Sequence, residues 1–192
     1  MIETMIRKLT TVALMAAVCM TAVAGSPTMT QSGPTEGSGL PAFGVVKVAG
    51  AMDDGVDVGD ELCYRCKNKS RPQVVVFTHD DSDKTAMLIQ KLDQAMTEHS
   101  DDQLRVFVNV LDADSKKAEM KAKKMADATG AKQVPFVVPS DSTGPRNYKL
   151  SDDAAVTITL ANDSTVMKNI SVTDASELDI DMVMNEVKRM LN

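Results

Sequence analysis

Cys63-Tyr64-Arg65-Cys66 is a C-x-x-C pair, and apart from Cys19 in an N-terminal apolar run these are the only thiols in the chain. Two cysteines at this spacing can close a small disulfide that pins a turn, exchange electrons with another dithiol, or supply half of a four-ligand metal site. Loop entropy for a four-residue ring gives about 2 kcal/mol, against about 5 kcal/mol for a hundred-residue loop, so a bridge here staples weakly. Positive charge favours thiolate chemistry: Arg65 lies between the thiols, with Lys67 and Arg71 close behind. Metal is the poorest fit. Zinc wants four ligands, and the only histidines are His79, beyond a strand, and His99, beyond the following helix. A c-type haem is excluded because Lys67 stands where C-x-x-C-H requires histidine. A structural disulfide and an exchange-active dithiol both stand at this point.

Other residues invite chemistry, each with a plainer reading beside it. His79 closes an apolar run and could serve as a general base oriented by Asp80 or Asp81. No serine or cysteine nucleophile is identifiable beside it, which favours a solvent-facing loop histidine. Asp53, Asp54, Asp57 and Asp60 lack the spacing and closing glutamate of an EF-hand, so they read as a solvated acidic loop. Met87, Met96, Met120, Met125, Met182, Met184 and Met190 offer soft thioethers to copper(I), but several fall on apolar helix faces and read as core filling. Lys116, Lys117, Lys121, Lys123 and Lys124 form a basic run that a solvated helix face explains. Asn68-Lys69-Ser70, Asn162-Asp163-Ser164 and Asn169-Ile170-Ser171 match the common glycosylation triplet.

Composition narrows the partners. The net charge is -6 and becomes slightly more negative if Arg7, Lys8 and Glu3 are removed, which disfavours nucleic acid and anionic membrane. Tryptophan is absent and aromatics make up only 3% of residues, so stacking platforms for single strands or sugars are missing. Arg7 and Lys8, the apolar stretch Leu9 to Met20 and Ala22-Val23-Ala24 have the form of a secretory signal over residues 1–24. Its apolar run is shorter than the ~20 residues that span a bilayer. An exported protein, periplasmic or secreted, is therefore expected, with no membrane association after cleavage and in a compartment where Cys63 and Cys66 persist as a disulfide.

The elements that would position these groups follow in order. Residues 25–41 (GSPTMTQSGPTEGSGLP) are expected to be a flexible linker, and residues 42–192 one domain. Ala42 to Ala49 reads as a first, peripheral strand and Gly50 to Asp60 as a Gly-punctuated loop. Gln73 to Thr78 is a β-branched strand, and Asp81-Ser82-Asp83 starts a helix carrying Leu88, Ile89, Leu92, Ala95 and Met96. Leu104 to Leu111 is the next strand, and Ser115 to Ala128 a helix ending at Gly130. Val134 to Val138 is a short extended run. Ala155 to Leu160 and Thr165 to Ser171 flank an Asn162-Asp163 turn, and Ser176 is expected to cap a last helix bearing Ile180, Val183, Met184, Val187 and Leu191.

Strand-helix-strand-helix, then a hairpin and a closing helix, is an α/β arrangement with a mixed sheet, and it resembles the thioredoxin fold. The residues that carry the resemblance are Val74 to Phe77, Val110-Leu111-Asp112-Ala113-Asp114, Ala128-Thr129-Gly130-Ala131, Val134-Pro135, the hairpin and the last helix, with Gly59-Asp60 reminiscent of peroxiredoxins. It implies a central sheet flanked by helices and a reactive corner after the first core strand. There the chain departs from the family, because Thr78-His79-Asp80-Asp81-Ser82-Asp83-Lys84 contains no cysteine. The resemblance also implies that Pro135 is a cis-proline beside His79, at the pole opposite Cys63 and Cys66.

The expectation is thus an exported thioredoxin-like protein with two functional readings. In one, Cys63 attacks and Cys66 resolves in thiol-disulfide exchange with a protein thiol or disulfide, the roles assigned by analogy with the first cysteine being the more exposed. Such a dithiol needs no cofactor. In the other, the fold is a non-catalytic scaffold that binds an extended peptide, and Cys63–Cys66 is a local structural disulfide.

Overall fold

The computed structural model describes residues 30–192. The signal sequence expected over residues 1–24 lies outside the described residues. Seven strands form one mixed sheet: β1 (Val45–Ala49), β2 (Glu61–Leu62), β3 (Gln73–Thr78), β4 (Arg105–Val110), β5 (Phe136–Pro139), β6 (Val156–Asn162) and β7 (Thr165–Val172), in the order β2-β1-β5-β4-β3-β6-β7. Four α-helices accompany it: α1 (Tyr64–Asn68), α2 (Asp83–Glu98), α3 (Ser115–Thr129) and α4 (Ile180–Leu191).

β3 is central and buried along its whole length, as its unbroken run of apolar and β-branched residues requires. It pairs in parallel with β4, from Gln73 opposite Arg105 to Thr78 opposite Val110, and antiparallel with β6. β5 continues the parallel direction from β4. Helical crossovers join the parallel strands, while β6 and β7 form a hairpin. Its two-residue turn is Asp163-Ser164, both at positive φ, rather than Asn162-Asp163. That pairing lets Asn162 complete the ladder opposite Thr165.

The two faces of the sheet are covered differently. Val74, Val76, Val106, Val108, Phe136, Ile158 and Leu160 meet Leu88, Ile89 and Leu92 of α2, Ala118, Ala122 and Met125 of α3, and Val183 and Val187 of α4. Ser82 caps α2, Asp114 caps α3 and Gly130 ends α3 in the left-handed conformation. α4 is capped by Asp179, not Ser176, because Asp174 opens a separate 3-10 turn at Ala175–Glu177 and the chain leaves it extended at Leu178. On the other face Val75, Phe77, Phe107 and Val137 meet Leu40, Tyr64 and Tyr148. Every aromatic side chain except Phe136 gathers here, Tyr64 stacking on Phe107 at 5.7 Å and Phe43 meeting Tyr148 edge-on at 4.9 Å.

The expected flexible linker is, over residues 30–41, a strap bound to this second face. Gly37 N–H donates to Val166 O, Val166 N–H to Ser38 O and Leu40 N–H to Ser164 O, so the strap pairs with the open edge of β7. Ser32 and Thr157 hydroxyls meet at 2.7 Å, and Asn169 donates its amide to Pro34 O. Little apolar content is needed, because backbone hydrogen bonds to an otherwise unpaired strand edge and burial of Leu40 replace it.

Candidate functional site

The thiols sit where the chain enters the sheet. Cys63 and Cys66 are joined by a disulfide, with their Cα atoms 5.2 Å apart. Cys63 is the N-cap of α1: its Sγ accepts from Cys66 N–H at 3.1 Å and its carbonyl from Lys67 N–H. Cys66 is exposed and Cys63 half-buried, the reverse of the exposure on which their roles were expected to rest. α1 is too short to be stable alone. It is held by Tyr64, 3% exposed, and by Arg65, whose Nε donates to Leu40 O of the strap. Arg65 therefore serves the strap; its position between the cysteines in sequence suggested otherwise.

A buried polar network fixes the loop before α1. Lys47 is 1% exposed, and its ammonium donates to Ala51 O at 2.7 Å, Asp54 Oδ1 at 2.7 Å and Val56 O at 2.8 Å. The other Asp54 oxygen accepts from the Tyr64 hydroxyl at 2.5 Å, so one carboxylate joins β1 to α1. Burial, with the negative Asp54 beside it, raises the Tyr64 phenol far above its ordinary value. Asp54 is thus a partly buried counter-ion rather than part of a solvated loop, whereas Asp53, Asp57 and Asp60 are exposed. The readable signal for this network was Lys47 itself: in a period-2 strand it shares the inward face of Val45.

The opposite pole carries the corner where the resemblance places reactive sulfur. Ser82 caps α2 and Thr85 lies three residues on, so hydroxyls occupy a C-x-x-C spacing. Both hydroxyls donate to Asp80 Oδ2, at 2.5 and 2.6 Å. Partial burial alone would raise the Asp80 carboxyl, but these donors and the Ser82 amide hold it below its ordinary value. The corner is a closed capping network with no soft nucleophile. His79 lies at this pole, its N–H on Ala155 O and its carbonyl accepting from Lys121 Nζ. Desolvation, then the Lys121 charge, lower its pKa despite Asp112 and Asp152. Lys121 and Lys124 therefore reach this pole, Lys124 pairing with Asp81 at 2.7 Å, while the rest of the basic run is solvated.

Pro135 is neither cis nor at the His79 pole. The described residues contain no cis peptide bond, and Pro135 leads into β5, which runs parallel to β3 and so begins at the pole where the thiols enter. The strand that enters beside His79 is the antiparallel β6, and Ala154-Ala155 precedes it. The resemblance misplaced the proline because β5 and the long connection after it stand between Val134 and the hairpin. Pro135 instead lines a groove of about 680 Å³ with Tyr64, Lys67 and Asn68 of α1, Lys69, Arg71, Met96, Arg105, Val106, Lys132 and the Asp53-Asp54 loop. The sequence reading missed this groove, whose cations come from separate elements.

Among the described residues no three histidine, cysteine or acidic side chains converge as a metal site, and no helix is long and apolar enough to cross a membrane. Met96, Met125 and Met190 are core residues, whereas Met87 and Met120 are exposed. Asn68 is buried, and the side-chain amides of Asn162 and Asn169 are hydrogen-bonded within the fold.

No protein-family model matches the chain, and no curated protein matches it significantly. Solved structures do. AhpC of Mycobacterium bovis is 14% identical with a TM-score of 0.60, covering 83% of this chain and 94% of its own. The reduced 2-Cys peroxiredoxin of Plasmodium vivax is 20% identical with a TM-score of 0.55, covering 81% of each chain. A Chlorobium tepidum protein assigned as the thiol:disulfide interchange protein DsbE is 15% identical with a TM-score of 0.58, covering 82% of this chain and 99% of its own. With its mixed central sheet, flanking helices and closing hairpin and helix, this chain has a thioredoxin-like fold.

Proposed function

We propose that this is an exported thioredoxin-like protein that exchanges disulfides through Cys63 and Cys66, displaced to the entry pole of the sheet. The observation that carries the reading is the asymmetry of the bridge: Cys66 is exposed, while Cys63 Sγ already accepts the Cys66 amide at 3.1 Å. An incoming thiolate attacks Cys66 Sγ and forms a mixed disulfide. The Cys63–Cys66 bond breaks, and Cys63 leaves as a thiolate stabilised by that amide. A second thiolate of the same substrate then attacks its own mixed-disulfide sulfur and releases Cys66. The substrate dithiol is oxidised by two electrons and the protein pair reduced; the reverse path reduces a substrate disulfide. On this geometry Cys66 engages the substrate and Cys63 resolves, opposite to the order expected from analogy.

A short ring that contributes only about 2 kcal/mol of loop entropy is a weak reason to keep two cysteines, which supports the exchange reading. The competing reading, a non-catalytic scaffold with a local disulfide, draws on Ser82 and Thr85 filling the customary corner. Reduction of an oxidised dicysteine peptide by the reduced protein separates them. The exchange reading predicts that Cys66→Ser abolishes turnover and Cys63→Ser traps a mixed disulfide on Cys66. Rates equal to wild type in both variants establish the scaffold reading.

A further inference from the structure

The groove beside α1 is cationic on a protein that is acidic overall. Lys67, Lys69, Arg71, Arg105 and Lys132 line it, against Asp53 and Asp54. Asp54 is already engaged by Lys47, the Tyr64 hydroxyl and the Val56 amide. Asp93 lies just outside, its Oδ1 accepting the backbone amides of Lys132, Gln133 and Val134. Among the described residues no ion pair involves any of the five cations. Arg71 Nε donates to the neutral Gln103, and Arg105 Nη1 only to the adjacent Leu104 carbonyl. Burial and the neighbouring Arg71 both disfavour the charge on Arg105. Two guanidinium groups facing one cavity without a carboxylate between them repel each other, and an anion relieves that repulsion with paired N–H donors.

The rest of the lining mixes the polar Asn68 and Gln133 with an apolar floor. Met96 and Val106 are 6% and 2% exposed, and Pro135 and the Tyr64 ring are buried beside them. A cavity of about 680 Å³ matches a small organic molecule, and inorganic phosphate alone would leave most of it empty. We infer that this groove binds a small organic anion, with a phosphate or carboxylate head on Arg71 and Arg105 and an apolar body against Met96, Val106 and Pro135. The net charge of -6 disfavours anions over the surface at large, and the solvated lysines of α3 lack the cavity around which these five cations gather. The inference needs no redox chemistry and does not depend on the exchange reading.

Isothermal titration of the purified oxidised protein with phenyl phosphate, phenylacetate, inorganic phosphate and phenol tests it. One saturable site is expected for the aromatic anions, tighter than for inorganic phosphate, with no binding of phenol. Whichever of phenyl phosphate and phenylacetate binds tighter identifies the head group. R105Q and R71Q each weaken the site about tenfold or more, the loss of one charged pair of hydrogen bonds. K116Q/K117Q on the solvated face of α3 leaves it unchanged. R71Q, which alters a side chain bonded only to Gln103, decides the matter where R105Q fails to fold. Absence of saturable binding of both aromatic anions at millimolar concentration overturns the inference. So does affinity unchanged in R71Q, or reduced equally in K116Q/K117Q.

Discussion

Asp54→Ala tests whether the buried network holds the thiol helix. Removing this carboxylate leaves the Lys47 ammonium, 1% exposed, with two carbonyl acceptors and no counter-ion, and leaves the Tyr64 hydroxyl without its partner. Breaking one side of a buried pair costs about 3–5 kcal/mol. Because the Asp54 side chain is 19% exposed, the lower end, about 3 kcal/mol, applies. For a chain of this size each kcal/mol lowers Tm by roughly 2–4 °C, so a fall of about 10 °C is expected. Urea unfolding followed by circular dichroism suits a protein without tryptophan, and an unchanged slope confines the effect to stability. Lys47→Met combined with Asp54→Ala removes the stranded charge and should recover at least about 1 kcal/mol relative to Asp54→Ala alone. A single-variant cost below about 1 kcal/mol, or simple additivity in the double variant, would refute the assignment.

Three further outcomes follow from particular positions. His79 has a folded pKa below its unfolded value, so the stability it contributes is complete above about pH 6.5 and declines as pH falls through the folded pKa. NMR should show its ring titrating below 6.5, and His79→Gln should flatten stability against pH in that window; a midpoint above 6.5 contradicts the argument from partial desolvation and the Lys121 charge. Gly50 lies at φ 76°, and a Cβ there would stand 2.3 Å from Val134 O, so Gly50→Ala should cost more than about 2 kcal/mol in denaturant unfolding. A cost under about 1 kcal/mol would show that β1 and β5 shift freely. Cys63→Ala/Cys66→Ala should cost no more than about 2 kcal/mol by the same measurement, whereas a loss above about 4 kcal/mol would make the bridge a major staple.

Much of the framework was legible because one signal dominated locally. The run Gln73 to Thr78 could only be a strand buried on both faces, and Gly130 could end α3 because its left-handed φ carries no Cβ penalty. What was misread depended on long-range pairing. The strap over residues 30–41 looked unstructured because its partners are backbone groups of β7 more than a hundred residues away. Pro135 resembled a family position until the direction of β5 put it at the other pole. Lys47 falls on the inward face of β1 by simple alternation, yet its partners Asp54 and Tyr64 are set by loop geometry that no periodicity records. The groove cations were likewise scattered over α1, the loop after it, β4 and the turn before β5.

The exchange reading rests on a weakly stapling bridge that is exposed at Cys66 and whose leaving sulfur, on Cys63, already accepts an amide. The reduction potential of Cys63–Cys66, equilibrated in glutathione buffers and read by mass spectrometry, tests it most directly. The account predicts a value in the range of exchange proteins, about -120 to -270 mV. A value below about -300 mV would identify a structural bridge and contradict it.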